Sequence, residues 1–161
     1  MTDRTVQIQL TRQSLTVRDA GRSIREFSVS TSRYGPGERL GSQCTPRGTH
    51  IVRAKVGAGL PPGAVFVGRR FTSEIYSADL ARRYPDRDWI LTRLIWLSGR
   101  EPGRNRFGAV DSLRRFIYIH GTPDAEPVGV PFSHGCIRMR NSDVIELYEM
   151  IDTGTMVEIT P

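Results

Sequence analysis

The chain opens on alternation of apolar and polar positions. Val6–Leu10 reads V-Q-I-Q-L, Leu15–Val17 resumes after a short break, and Ile24–Ser30 reads I-R-E-F-S-V-S. A period of two belongs to a strand with one buried face. Asp19-Ala20-Gly21, between the second and third runs, supplies the turn chemistry of a hairpin. Thr49–Val56, Trp89–Leu97, Phe116–His120 and Met156–Ile159 are predicted as further strands. Helical spacing is clear in one late segment, where Val144, Leu147, Tyr148 and Ile151 recur. Asn141 or Ser142 is its expected cap, Asp143 lies in its first turn, and Gly154 stops it. Ala78–Tyr84 reads as a second, short helix ended by Pro85. Breakers crowd residues 57–63, so no regular element is expected there. The pattern predicts a mostly β, sandwich-like domain with one late α-helix.

Composition narrows the class. A chain of 161 residues suits one domain and can bury a core without disulfide or metal staples. Hydrophobic content of 38% and charged content of 25% fit neither a disordered chain nor a membrane protein. The first twenty residues alternate and contain no continuous apolar run of the kind a secretory signal needs. With Met1 as the native start, the expected location is cytoplasmic.

The net charge of +6 is unevenly spread. Residues 1–115 carry a balance of +11, and residues 116–161 a balance of −5, with Arg138 and Arg140 the late segment's two bases. A basic body can attract nucleic acid, anionic membrane or a carboxylate-bearing substrate. No nucleic-acid-binding pattern accompanies the charge, and neither nucleic acid nor membrane is expected as a partner.

Cys44 and Cys136 are too few for a disulfide framework and are expected as reduced thiols. Their neighbours differ. Cys136 sits in Ser133-His134-Gly135-Cys136-Ile137-Arg138-Met139, preceded by Ile119-His120-Gly121-Thr122. A cysteine nucleophile needs a base or cation to stabilise its thiolate, most often histidine. It also needs backbone donors for the oxyanion that forms on the attacked carbonyl. A strand ending at His120 and a loop returning to Cys136 can bring imidazole and thiol together. Two readings of another class compete. One is a zinc site drawing on His120, His134, Cys136 and Cys44, although the spacing H-x13-H-x-C matches no compact zinc pattern. The other is a binding protein with a dead site.

IHGT at 119–122 and SHGCIRM at 133–139 together resemble the L,D-transpeptidase (YkuD-type) catalytic domain. Thr45-Pro46-Arg47-Gly48 is similar to that family's upstream T-P-x-G element. The resemblance runs from about residue 5 to 160, a single catalytic domain. It implies Cys136 as nucleophile, His120 as its base, and the Gly121 carbonyl as the group that orients the imidazole. The amides of Gly135 and Cys136 become the oxyanion donors. Arg138 is expected to pair with substrate or fix the loop, Ser133 to support the turn, and His134 to shape the site.

The chemistry so implied is acyl transfer on peptidoglycan tetrapeptide stems with release of terminal D-alanine, without metal or organic cofactor. Carbapenems are the implied covalent inhibitors. The missing export signal turns the expectation toward an L,D-carboxypeptidase acting on soluble stem peptides or muropeptides in wall recycling. Formation of 3–3 crosslinks or exchange of D-amino acids is the alternative. Residues 57–105 are read as a candidate lid or insertion that selects small substrates.

Overall fold

The N-terminal alternation becomes a meander in which β1 (Arg4–Gln9), β2 (Ser14–Asp19) and β3 (Arg22–Ser28) pair antiparallel in sequence order. These strands belong to a computed structural model that describes residues 3–161. The other neighbour of β1 is the last strand, β10 (Met156–Thr160), laid parallel with Val6 beside Val157 and Ile8 beside Ile159. Next in the sheet come β4 (Gly48–Val56) and then β7 (Ile90–Gly99).

β7 is the hub. On the β4 side it also pairs with β5 (Ala64–Val67), which carries β6 (Arg70–Ile75) as an edge strand. Its other side takes β8 (Tyr118–Gly121), and β9 (Ile137–Met139) pairs parallel with β8. Ser30, just past β3, bridges to Arg138 of β9 through two reciprocal backbone bonds of 2.8 Å. The far ends of the sheet therefore meet.

Period-two alternation divides β8 between two environments. Ile117 and Ile119 join the main core, together with Ile137 and Met139 of β9. Val144, Leu147 and Ile151, from α2 (Asn141–Met150) and the residue after it, cover that core. Each such side chain contributes about 1.5–3 kcal/mol by leaving water. Tyr118 points the opposite way, into a smaller cluster with Phe66 and Leu94, against which Trp96 and Cys136 pack. A third cluster seats Leu80 of α1 (Ala78–Arg83) against Trp89.

The structure departs from the sequence expectations at three places. Neither Asn141 nor Ser142 caps α2, which Arg140 precedes without any side-chain cap bond. Asn141 is occupied sideways instead: its Nδ2 donates to Thr122 O (3.1 Å) and its Oδ1 accepts from Thr92 Oγ1 (2.5 Å). Residues 57–105 supply three strands of the sheet, β5, β6 and the hub β7, together with α1, so the segment is joined to the sheet at its centre. The predicted strand at Phe116–His120 starts two residues later, because Phe116 has a φ of +57° and sits outside the ladder. Among the described residues, no helix is long and apolar enough to cross a membrane.

Candidate active site

The parallel pairing of β8 and β9 sets His120 beside Arg138, and alternation puts Cys136 on the same face as Arg138. His120, Cys136 and Arg138 therefore share the side of the sheet away from α2. Two glycines make this possible. Gly135 has a φ of +126° and an added Cβ would press on Cys44 O, so only glycine fits the turn into Cys136. Gly121 lies so close to Asn141 Oδ1 and Leu91 O that any side chain there would collide with them.

Cys136 is half-buried and held on both sides. Its thiol donates to Phe116 O (3.3 Å) and its sulfur accepts from Tyr118 N–H (3.4 Å). Ser133 ties the preceding turn: its hydroxyl accepts from Gly135 N–H (3.2 Å) and donates to Cys136 O (2.6 Å). Thr45, from the T-P-x-G element, donates to Gly135 O (2.9 Å) and accepts from Ser32 N–H (3.0 Å). The upstream element thus acts on the cysteine loop directly.

The imidazole of His120 is buried, and its Nδ1 bonds Gly121 O (2.7 Å). A carbonyl only accepts, so Nδ1 carries the proton and Nε2 is left as a proton acceptor. Burial lowers the His120 pKa below its ordinary range, against the pull of Asp88. Burial likewise pushes the Cys136 thiol up to about 12, a rise that the Tyr118 N–H and the charges of Arg138 and Arg115 only partly offset. The resting pair is a neutral thiol and a neutral imidazole, and no hydrogen bond joins them. Such a pair can move a proton once the thiol turns away from Phe116 O. It does not store a thiolate.

The remaining expected site residues divide in two. Arg138 is only 3% exposed and its guanidinium is taken by two carboxylates, Asp88 (2.9 Å) and Glu126 (2.9 Å). It is committed to the protein and offers no free fork for a substrate carboxylate. Gly135 N–H, an expected oxyanion donor, is engaged by Ser133, whereas Cys136 N–H makes no side-chain hydrogen bond. His134 is exposed beside Tyr34 and lines a cleft of about 150 Å³ with Cys136, Leu40, Gln43 and Arg115.

Both cysteines are free thiols. Among the described residues, no three His, Cys, Asp or Glu side chains are grouped to hold a metal ion. His50 is fully buried between Gly48 O (3.0 Å) and Ser112 Oγ (2.9 Å), a structural role. Two larger cavities, of about 580 and 570 Å³, lie beside the start of α2 and beside the β1–β10 pair. Neither is lined by Cys136 or His120.

Asp88, Glu126, Arg115 and Phe116 were not singled out from the sequence. Asp88 lies 50 positions from the arginine it pairs with, and Arg115 reaches across to Gly37 O and Cys44 O. No local pattern signals such contacts. Phe116 has the pattern of an ordinary strand residue, and its backbone carbonyl, which no side-chain pattern marks, is what meets the sulfur.

Comparison with known proteins agrees with this architecture. The family model of the YkuD L,D-transpeptidase catalytic domain matches residues 3–159. A Bacillus licheniformis protein bearing the name L,D-transpeptidase YkuD is 51% identical over 43 residues, 27% of this chain and 26% of its own. The Bacillus subtilis protein of that name is 44% identical over 62 residues, 37% of each chain. The matched segments thus span 26% and 37% of these relatives. Among solved structures, L,D-transpeptidase 3 from Mycobacterium tuberculosis with a faropenem-derived adduct aligns with a TM-score of 0.61 at 17% identity. That alignment covers 99% of this chain and 61% of the other. The LD-transpeptidase LdtMt1 in complex with imipenem aligns at 0.59 and 16% identity, over 99% of this chain and 59% of its own. At such identities the likeness establishes the fold. With nearly every residue inside the family model, the chain belongs to the YkuD L,D-transpeptidase catalytic domain family.

Proposed function

We propose that this domain performs cysteine-dependent acyl transfer on peptidoglycan tetrapeptide stems, with water as acceptor and terminal D-alanine as leaving group. The observation that carries the reading is the pairing of two features on one face. Cys136 sulfur borders an open cleft, and His120 is fixed by Gly121 O with Nε2 as its acceptor nitrogen.

In the proposed reaction the Cys136 thiol leaves Phe116 O and gives its proton to His120 Nε2 as sulfur bonds to the scissile carbonyl carbon. Cys136 N–H is the first donor to the resulting oxyanion, with Gly135 N–H joining as its bond to Ser133 loosens. The peptide C–N bond breaks, and the imidazolium returns the proton to the departing D-alanine amine. Water then gives a proton to His120 and attacks the thioester. The C–S bond breaks, the thiol regains its proton, and a tripeptide carboxylate is released. Burial of the pair means that charge appears only during the reaction, which favours substrate-coupled proton transfer over a standing ion pair.

Arg138 belongs to this scheme as a positioning residue. Held by Asp88 and Glu126, it fixes β9 beside His120. The small cleft beside Cys136 supports water or a free amino acid as acceptor over a second stem peptide. Such a hydrolase suits soluble stem peptides released by wall turnover. The carbapenem complex among similar structures supports acylation of Cys136 by carbapenems here as well.

A synthetic tetrapeptide, incubated with and without excess D-amino acid and read by mass spectrometry, tests the reading. Tripeptide as the main product in both conditions is expected. Efficient exchange with little tripeptide would replace water by an amine acceptor, and no turnover at all would overturn the reading.

A further inference from the structure

The sulfur has a second neighbourhood besides the cleft. Phe116 and Tyr118, whose backbones contact Cys136 Sγ, extend their rings with Trp96 into an aromatic shelf, each ring 6.2–6.5 Å from the other two. Phe116 is half exposed, and Trp96 is anchored by its Nε1–H on Leu113 O (3.1 Å).

Over this shelf lies Arg69. Its guanidinium carbon is 4.7 Å from the Trp96 ring centre and 5.0 Å from that of Phe116, and its Nη1 donates to Tyr118 Oη (3.2 Å). Arg69 occupies the tip of the β5–β6 hairpin, where Val67 pairs with Arg70 across a two-residue turn. Gly68 and Arg69 both have left-handed φ values, +57° and +65°. Glycine or asparagine is the usual occupant of the second position. Phe116 is also left-handed, so two strained non-glycine residues meet face to face beside the sulfur. Unfavourable backbone of this kind collects at ligand-handling sites.

The other two arginines near Cys136 are occupied. Arg138 is neutralised by Asp88 and Glu126. Arg115 spends its Nη groups on Gly37 O, Ser42 Oγ and Cys44 O. Among the described residues, no carboxylate pairs with Arg69, and the one hydrogen-bond acceptor on its guanidinium is the Tyr118 phenol.

We infer that Arg69 is the carboxylate receptor of the acyl donor, a planar cation held over the Trp96–Phe116–Tyr118 shelf with donors left for a substrate carboxylate. The inference rests on the proposed function and extends it to substrate choice. With one Nη1–H on Tyr118 Oη, the guanidinium keeps its remaining N–H donors, and a planar guanidinium is the group that recognises a carboxylate. Chain geometry brings the terminal carboxylate of a tetrapeptide within about 4 Å of the attacked carbonyl, and the diamino acid supplies a second carboxylate. Either can reach a receptor that shares Tyr118 and Phe116 with the sulfur.

Three donors separate the sources: the free tetrapeptide, its C-terminal amide, and a tetrapeptide whose diamino acid carboxylate is an amide. Turnover is measured for the wild type, Arg69→Lys and Arg69→Gly. Glycine suits the turn, so its thermal transition is expected to stay near that of the wild type. For the free donor, Arg69→Gly is expected to raise KM by about tenfold or more while kcat changes by less than about threefold, with Arg69→Lys in between. The effect disappears with whichever amide removes the recognised carboxylate. Equal losses on all three donors, or no loss on any, would overturn the receptor while leaving the proposed function standing. Failure of the wild type to turn over any donor, and of Cys136→Ala to bind them by calorimetry, would overturn both.

Discussion

The two faces of the β8–β9 pair differ by one residue of register and by everything else. Ile117, Ile119, Ile137 and Met139 enter a dry core beneath α2. Tyr118, His120, Cys136 and Arg138 face the other way, and each side chain has a polar partner: the Arg69 guanidinium, Gly121 O, Phe116 O and the carboxylates of Asp88 and Glu126. One face gains its stability from apolar area, which is indifferent to pH. The other holds titratable groups whose charged forms are penalised by burial. Rigidity is supplied by the first face and reactivity by the second, so substitutions on the two should fail in different assays.

The largest effects are expected on the polar face and in activity alone. Cys136→Ala removes the proposed nucleophile and His120→Gln its base. Each should reduce D-alanine release by at least about a thousandfold. Circular dichroism should show both variants folded. A folded His120→Gln enzyme with near-normal turnover would break the comparison.

On the apolar face the order reverses. Ile119→Ala opens a cavity in the fully buried core and should cost about 2–5 kcal/mol of stability in denaturant titration. Below its unfolding transition it should keep kcat within a few-fold, since β8 retains its ladder.

Acid should weaken the fold through buried histidines. The pKa of His50 is lowered to about 4 by desolvation, and that of His120 is lowered for the same reason. In both, the unfolded state binds the proton more readily. The stabilisation is therefore full above pH 6.5 and is lost as pH falls toward 4, with a His50 share of about 3 kcal/mol. His50→Gln, which keeps polar contacts to Gly48 and Ser112 within reach, should flatten this limb in stability measured from pH 7 to 4.

A smaller effect belongs to Ser133. Ser133→Ala leaves Gly135 N–H and Cys136 O without their side-chain partner, at about 1–3 kcal/mol. Loss of kcat should exceed any change in KM, because the hydroxyl holds the cysteine loop and touches no substrate in the proposed reaction.

What could be read in advance follows the range of the interactions. The strands of the meander, the hub strand and the late helix are local patterns of burial and were legible in the sequence. That His120, Cys136, Gly135 and Ser133 lie together was legible because they sit in two short motifs on adjoining strands. The β5–β6 hairpin was not, since prolines and glycines mask a four-residue strand, although V-F-V-G-R-R-F carries a turn signal between two apolar runs. The fate of Arg138 was illegible for another reason. The resemblance left substrate pairing and loop fixing open for it, and the two carboxylates that hold it, Asp88 and Glu126, lie 50 and 12 positions away, where no local pattern marks them. Asn141 misled similarly: a good capping residue was drawn away by Thr92 and Thr122.

Cys136 Sγ is the atom proposed to take the acyl group. Intact-protein and peptide-mapped mass spectrometry after exposure to a carbapenem addresses it most directly. One adduct per chain, mapped to the peptide containing Cys136, lost in Cys136→Ala and slowed in His120→Gln, is the expected result. An adduct on Cys44, or one that survives in Cys136→Ala, would contradict it.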